Sequence, residues 1–248
     1  MKNTFLEKII NKKLNSSKFL DSTYNGLQIE GCSEVNKIAI GVTACQSLLD
    51  QAIKNNFDSI IVHHGYFWDH DSKNIYGFYR KRLKTILLNN INLYSWHLPL
   101  DAHNKLSNNF YIKKVLNIKK EGTLNPYLWK GHFKILLSGI ELYQKIYSIF
   151  KRKPIYIANN KNKKIFSVAW CSGKGQKFIH QVIKNNIDCF ITGEASEETT
   201  HYARESGIHF FSAGHHATEI GGIQLLGKWL SSKYKELKIN FFNIHNPI

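Results

Sequence analysis

No stretch of this chain approaches the roughly 20 consecutive apolar residues that cross a bilayer as a helix, so a helical membrane protein is excluded. The N-terminal segment MKNTFLEKIINKKL also lacks the unbroken apolar block of a secretory leader. Its Phe5, Leu6, Ile9, Ile10 and Leu14 recur with charges between them, like one face of an amphipathic helix, and a cytoplasmic protein is expected. Cysteine is sparse: Cys32, Cys45, Cys171 and Cys189 form neither a CxxC pair nor a zinc-finger spacing. A disulfide framework is therefore not expected, and the four read as small buried hydrophobes in a reducing compartment. Acidic residues are scarce too, 18 against 34 lysines and arginines, which leaves a formal charge of +16. Only RKRLK (80 to 84), KRK (151 to 153) and KNKK (161 to 164) cluster, and no nucleic-acid recognition motif accompanies them. A general Lys/Asn/Ile bias accounts for the charge. Nucleic acid stays a secondary expectation, and the charge favours anionic, phosphate-bearing small molecules.

What is present is a globular composition, 43% hydrophobic and 13% aromatic, over 248 residues, enough for one large or two ordinary α/β domains. Strand-like and helix-like segments alternate. KIAIGVT (37 to 43), residues 59 to 63 and INLYSW (91 to 96) read as strands. Segments 47 to 56, 77 to 90 and 106 to 117 read as helices, so the sheets should be mainly parallel with helices on their faces. The second half repeats the first. LLDQAIKNNFDSIIV (48 to 62) matches FIHQVIKNNIDCFIT (178 to 192), with IKNN identical, and INLYSWHLPLD (91 to 101) falls beside IHFFSAGHHAT (208 to 218). The fold expected is α/β with two similar, interlocked lobes from an internal duplication, residues 1–120 and 121–248, and a metal cleft between them. The turn-rich stretch 119 to 136 is the expected join.

The segment DSIIVHHGYFW (58 to 68) carries the chemistry. A β-branched run reads as a strand buried on both faces, and it discharges two imidazoles where open α/β sheets place their ligands. Strand neighbours point to opposite faces, so His63 and His64 share one cleft only if the strand ends there, a break that Gly65 permits. WHLPLD (96 to 101) and GHHATE (214 to 219) follow similar apolar runs. His63, His64, Asp101, His215 and Glu219 together offer three imidazoles and two carboxylates. That is more than one tetrahedral zinc requires, and it suits two divalent ions sharing a bridging carboxylate. His97 reads as a group that orients a ligand, and Glu194 as a candidate proton carrier or helix-start carboxylate. His201 falls on the following helix. CSGKGQ (171 to 176) reads as a tight turn able to hold an anion, and Tyr66, Phe67, Trp68 and Trp96 as aromatics able to stack a base or fill a core.

HHGYFW, HLPLDAH, ITGEASEETTH and AGHHATEIGGIQLL, with NGLQIEG and GVTA upstream, resemble the signature blocks of the GTP cyclohydrolase 1 type 2 / Nif-three-like family of dinuclear metal proteins. The resemblance covers nearly the whole chain and is nearest to short bacterial members. It implies that His63, His64, Asp101, His215 and Glu219 hold the two metals, of zinc, manganese, iron or similar kind. It also implies a two-lobed subunit in a homohexameric ring. The expected activity is metal-dependent hydrolysis of a nucleotide-like or phosphorylated small molecule. The alternative is a non-enzymatic ring that buffers metal or binds nucleic acid or a partner protein.

Overall fold

The IKNN repeat has a structural cause. In the computed structural model, which describes all residues Met1–Ile248, each IKNN closes a helix that feeds a buried strand. Asn56 and Asn186 adopt left-handed backbone, φ 55° and 51°, a conformation asparagine tolerates better than most residues. The residue after each Asn then bonds back into its helix, Phe57 N–H to the Ala52 carbonyl and Ile187 N–H to that of Val182. Next comes an aspartate that latches the neighbouring strand. Asp58 Oδ2 accepts from the Asn36 and Lys37 N–H groups at 2.8 and 2.9 Å. Asp188 Oδ2 accepts from the Phe166 and Ser167 N–H groups and the Ser167 hydroxyl.

By packing, the chain divides into two compact units, Met1–Ser107 with Gly222–His245, and Asn108–Gly221 with Asn246–Ile248. The first unit opens with α1 (Asn3–Leu14), which buries Leu6, Ile10 and Leu14 while Phe5 faces outward, a narrower apolar face than the sequence implied. Then follow β1 (Gly26–Ile29), β2 (Lys37–Thr43), α2 (Gln46–Lys54), β3 (Ser59–His64), α3 (Gly77–Leu88), β4 (Asn92–Ser95) and α4 (Leu98–Ala102). The sheet order is β1-β4-β3-β2-β11, where β11 is Lys238–Phe241, and every pairing is parallel except that of the edge strand β1. Ile60, Ile61 and Val62 of the central β3 are fully buried, as a strand covered on both faces requires.

The second unit comprises α5 (Asn108–Leu116), β5 (Ile118–Thr123), β6 (Trp129–Leu137), α6 (Gly139–Phe150), β7 (Ile155–Ile157), β8 (Ile165–Trp170), α7 (Ile179–Lys184), β9 (Cys189–Thr192), α8 (Glu197–Ser206) and β10 (His209–Ser212). The last helix, α9 (His215–Lys233), starts in it and continues into residues of the first unit. Sheet order is β5-β6-β8-β9-β10-β7. Only β8-β9-β10 run parallel, and β5, β6 and β7 are antiparallel additions at the edges. The turn residues read as a join form an antiparallel hairpin instead. Trp129, Gly131 and Phe133 alternate inward along β6, and Ile112, Leu116 and Ile118 bury with them, which draws residues 108 to 120 into the second unit's core. Together these elements make an α/β protein of two sheets flanked by helices. The four cysteines form no disulfide, and no helix is long and apolar enough to cross a membrane.

Candidate metal centre

In the first unit, imidazoles gather at the carboxyl ends of β3 and β4. His63 is fully buried, and its Nδ1 lies 3.1 Å from the Trp96 carbonyl oxygen. A carbonyl only accepts, so Nδ1 carries the hydrogen, and Nε2 lies 3.6 Å from Asp101 Oδ1. The strand ends at the histidine pair as expected, with His64 its last residue. His64 pairs in register with Thr43 of β2, whose hydroxyl sits 3.3 Å from His64 Nδ1. Each ring is turned by its own hydrogen bond, and the two centroids stand 4.5 Å apart despite the strand's alternation. Gly65 permits this through space, not through a special φ: a Cβ there would lie 2.2 Å from Gln28 Oε1 and 2.6 Å from Ser95 Cβ.

His97 follows β4 and immediately precedes α4, which carries Asp101 one helical turn further on. Its Nδ1 lies 2.8 Å from Asp21 Oδ1, an aspartate that the sequence reading passed over. The Asp21 side chain is 2% exposed and also accepts from the Leu98 N–H and the Asn25 amide. Burial alone would raise its pKa, but the hydrogen bond and electrostatic pull of His97, with those two further donors, hold it below the usual carboxylate value. Nothing near Asp21 in the chain advertises residue 97; only the fold joins them. The ligand nitrogens of His63, His64 and His97 all lie within 4.8 Å of one another. Trp68 walls this cluster, its ring edge-on to His97 at 4.8 Å. Of the other aromatics, Tyr66 and Trp96 are core residues, with Tyr66 hydroxyl bonded to the Ala44 carbonyl and Trp96 Nε1 to Asn11. Phe67 is 44% exposed and holds a left-handed φ of 62°, rare for a bulky side chain.

In the second unit the donors sit on a helix start. His215 and Glu219 lie four residues apart on α9, so both project from one face, with His215 Nε2 3.1 Å from Glu219 Oε2. Glu194, just beyond β9, holds His215 Nδ1 at 2.6 Å and is itself held by Gln176. This makes Glu194 an orienting group for His215. Burial alone would lower the His215 pKa; the hydrogen bonds and charges of Glu219 and then Glu194 outweigh it and push it up to about 9. The two carboxylates that favour a proton on His215 would equally favour a divalent cation beside it. Glu219 is nearly fully buried. Gly173, in the segment read as a tight turn, serves close approach: its φ is 59°, and a Cβ would lie 2.2 Å from Glu219 Oε1. Its N–H bonds to the Thr218 hydroxyl. His201 pairs with Glu197 on the exposed face of α8.

The donor chemistry fits divalent metals. All four imidazoles, His63, His64, His97 and His215, are held through Nδ1, the arrangement by which outer partners orient metal-binding histidines. Imidazole with carboxylate suits zinc, manganese or iron better than magnesium or calcium.

Known proteins agree with this chain along its whole length. The profile of Duf34/NIF3 (NGG1p interacting factor 3) matches residues 1–247. A GTP cyclohydrolase 1 type 2 homolog from Buchnera aphidicola subsp. Acyrthosiphon pisum is 56% identical over 247 residues, covering 100% of both chains. The homolog of that description from Escherichia coli is 49% identical with the same coverage. The solved structure of protein ybgI, of unknown function, superposes with a TM-score of 0.97 at 48% identity over 100% of both chains. That of TTHA1606 from Thermus thermophilus does so with 0.91 at 27% identity, again over 100% of both. With sequence, fold and length in accord, the chain belongs to the Duf34/NIF3 family.

Proposed function

We propose that His63, His64, Asp101, His215 and Glu219 hold two divalent ions of the zinc, manganese or iron kind. On this reading the protein is a metal-dependent hydrolase of a nucleotide-like or otherwise phosphorylated small molecule. One observation carries the proposal: each imidazole in the set is oriented by a partner at Nδ1, the way outer partners orient metal-binding histidines. When bound, paired divalent ions lower the pKa of a water and stabilise developing negative charge. The chain's own residues do the rest. Asp101 and Glu219 supply negative charge against the ions, Glu194 orients His215, and Trp68 shields one side of the histidine cluster. The description of the relatives as GTP cyclohydrolase 1 type 2 homologs favours a purine nucleotide, with ring-opening as the reaction to try first. Cytoplasmic location and assembly into a homohexamer belong to the same proposal, as does origin of the two units by internal duplication, which the shared Asp latch supports.

The test is metal content by elemental analysis, followed by turnover of a nucleotide panel. Glu219→Gln should lose at least one ion and all turnover; a variant retaining both sinks the assignment. A second reading, a metal-binding ring that holds nucleic acid, draws on Arg80, Lys81 and Lys84 of α3, which lie exposed beside Tyr76 and Phe78. Inactivity on the whole panel together with salt-sensitive DNA binding would favour it.

A further inference from the structure

Trp68 is held at more points than a hydrophobic wall requires. It follows Phe67, whose left-handed φ of 62° is a conformation that bulky side chains avoid and that persists where surrounding structure enforces it. The turn is fixed from both sides. Before it, the Gln28 amide engages both backbone groups of Tyr66, accepting from the N–H at 2.7 Å and donating to the carbonyl at 2.8 Å. After it, Trp68 forms an antiparallel bridge with Thr23, the Asp69 N–H bonds to the Ser22 carbonyl, and Asp71 accepts the Trp68 N–H at 3.2 Å. The indole N–H reaches back to the Gly65 carbonyl at 3.4 Å. So placed, the ring stands at 78° to His97 with centroids 4.8 Å apart and lies 6.0 Å from His64, yet part of the side chain stays open to solvent. Asp21 and Asn25 hold His97, so one stretch, residues 21 to 28, frames both the indole and the imidazole beside it.

Resting on the nucleotide reading above, we infer that Trp68 is the platform on which a nucleobase stacks beside the histidine cluster. An indole offers a flat face, and stacking on such a face tolerates any base. The net charge of +16 favours flat molecules that carry phosphate over neutral ones. The alternative is a plain shield that keeps water from the imidazoles. A shield needs bulk alone; it needs neither a left-handed Phe67 nor hydrogen bonds on both sides of the turn, and those are what favour a platform. Trp68 also stands apart from the other tryptophans of the chain. Trp96, Trp129 and Trp170 are buried, and Trp229 has the ammoniums of Lys13 and Lys233 over its ring.

The experiment uses full-length protein, with tryptophan fluorescence excited at the red edge of the indole band and titrated with GMP, AMP and base-free ribose phosphate. GMP and AMP should quench the emission, and ribose phosphate should not. Trp68→Leu should abolish the quench and weaken GMP, measured by calorimetry, by about 10- to 100-fold while metal content holds. Trp68→Phe restores a flat ring and should recover most of the affinity, whereas Trp68→Met restores bulk alone and should not. Phe67→Gly, which frees the mounting, should weaken GMP by a smaller factor. If Trp68→Leu melts early, the comparison of Phe with Met at this position decides. Equal rescue by the two, a Trp68→Leu protein that binds GMP as tightly as the unsubstituted chain, or a quench by ribose phosphate equal to that by GMP overturns the inference while sparing the nucleotide reading. An unsubstituted chain that binds neither GMP nor AMP overturns both.

Discussion

The segments β2-α2-β3 and β8-α7-β9 share a scaffold down to single hydrogen bonds, then part company at their last residues. Both close a helix with a left-handed asparagine, and both clip an aspartate onto the start of the adjacent strand. Their strands run parallel in the same order. At the tips, β2 ends in Thr43, which meets His64, whereas β8 leads to Gly173, which lies beneath Glu219. β3 ends in two imidazoles, whereas Thr192, Gly193 and Glu194 finish and follow β9, and the imidazole comes from α9. The position of a strand end is set by backbone hydrogen bonds far from the tip, so tip residues can differ without disturbing the frame. Carboxylate and imidazole have exchanged places: a strand end supplies imidazoles in one unit and the acid that orients one in the other.

The sharpest way to break this comparison is at Thr43 and Gly173. Gly173→Ala should cost about 1 to 2 kcal/mol for its positive φ and also displace the Glu219 carboxylate. Loss of metal content with a lowered melting temperature is the expected outcome. Thr43→Ala should leave melting within about 0.5 kcal/mol and at most weaken metal binding. Equal effects at the two positions would show that the tips are not specialised.

The latches should move stability without touching metal content. Asp58→Asn and Asp188→Asn each remove charge-assisted bonds to backbone N–H groups and should each cost about 1 to 3 kcal/mol in chemical denaturation. Asp188 adds a pH signature. Burial would raise its pKa, but the Ser167 and Phe166 hydrogen bonds and the nearby Lys163 charge pull it below 3.8. With the folded value beneath the unfolded one, its contribution is complete above pH about 4 and fades as pH falls through the folded pKa. Asp188→Asn should therefore flatten the acid limb of the stability curve, and an unchanged limb would refute the latch. The smallest effect belongs to the shared turns. Asn56→Ala and Asn186→Ala should each cost about 1 kcal/mol, alike in both units, because each must hold a left-handed backbone without asparagine's local hydrogen bonding.

Much of this was legible in the chain itself. The β-branched run of Ile60, Ile61 and Val62 announced a doubly covered strand, and the blocks around His63, Asp101 and His215 announced imidazoles and acids at or just beyond strand ends. Asp21 was not legible, because its partner lies far along the chain and a lone acid beside Asn25-Gly26 looks like turn chemistry. The β5-β6 hairpin was hidden for a related reason. Gly122, Pro126 and Gly131 mark turns, but only the inward alternation of Trp129 and Phe133 reveals the strands between them. Gly65 and Gly173 look alike in sequence, yet one answers crowding alone and the other crowding plus a positive φ.

Phe67 carries a consequence for engineering this fold. Thr23 and Gln28 both grip the Tyr66 carbonyl, so the chain enters residue 67 with little freedom to relax. A glycine there would relieve about 1 to 2 kcal/mol of backbone penalty and surrender an outward-facing ring beside Trp68. A hardier protein with a less apolar surface is what that exchange should yield, which marks residue 67 as a point where endurance has been given up for an exposed ring.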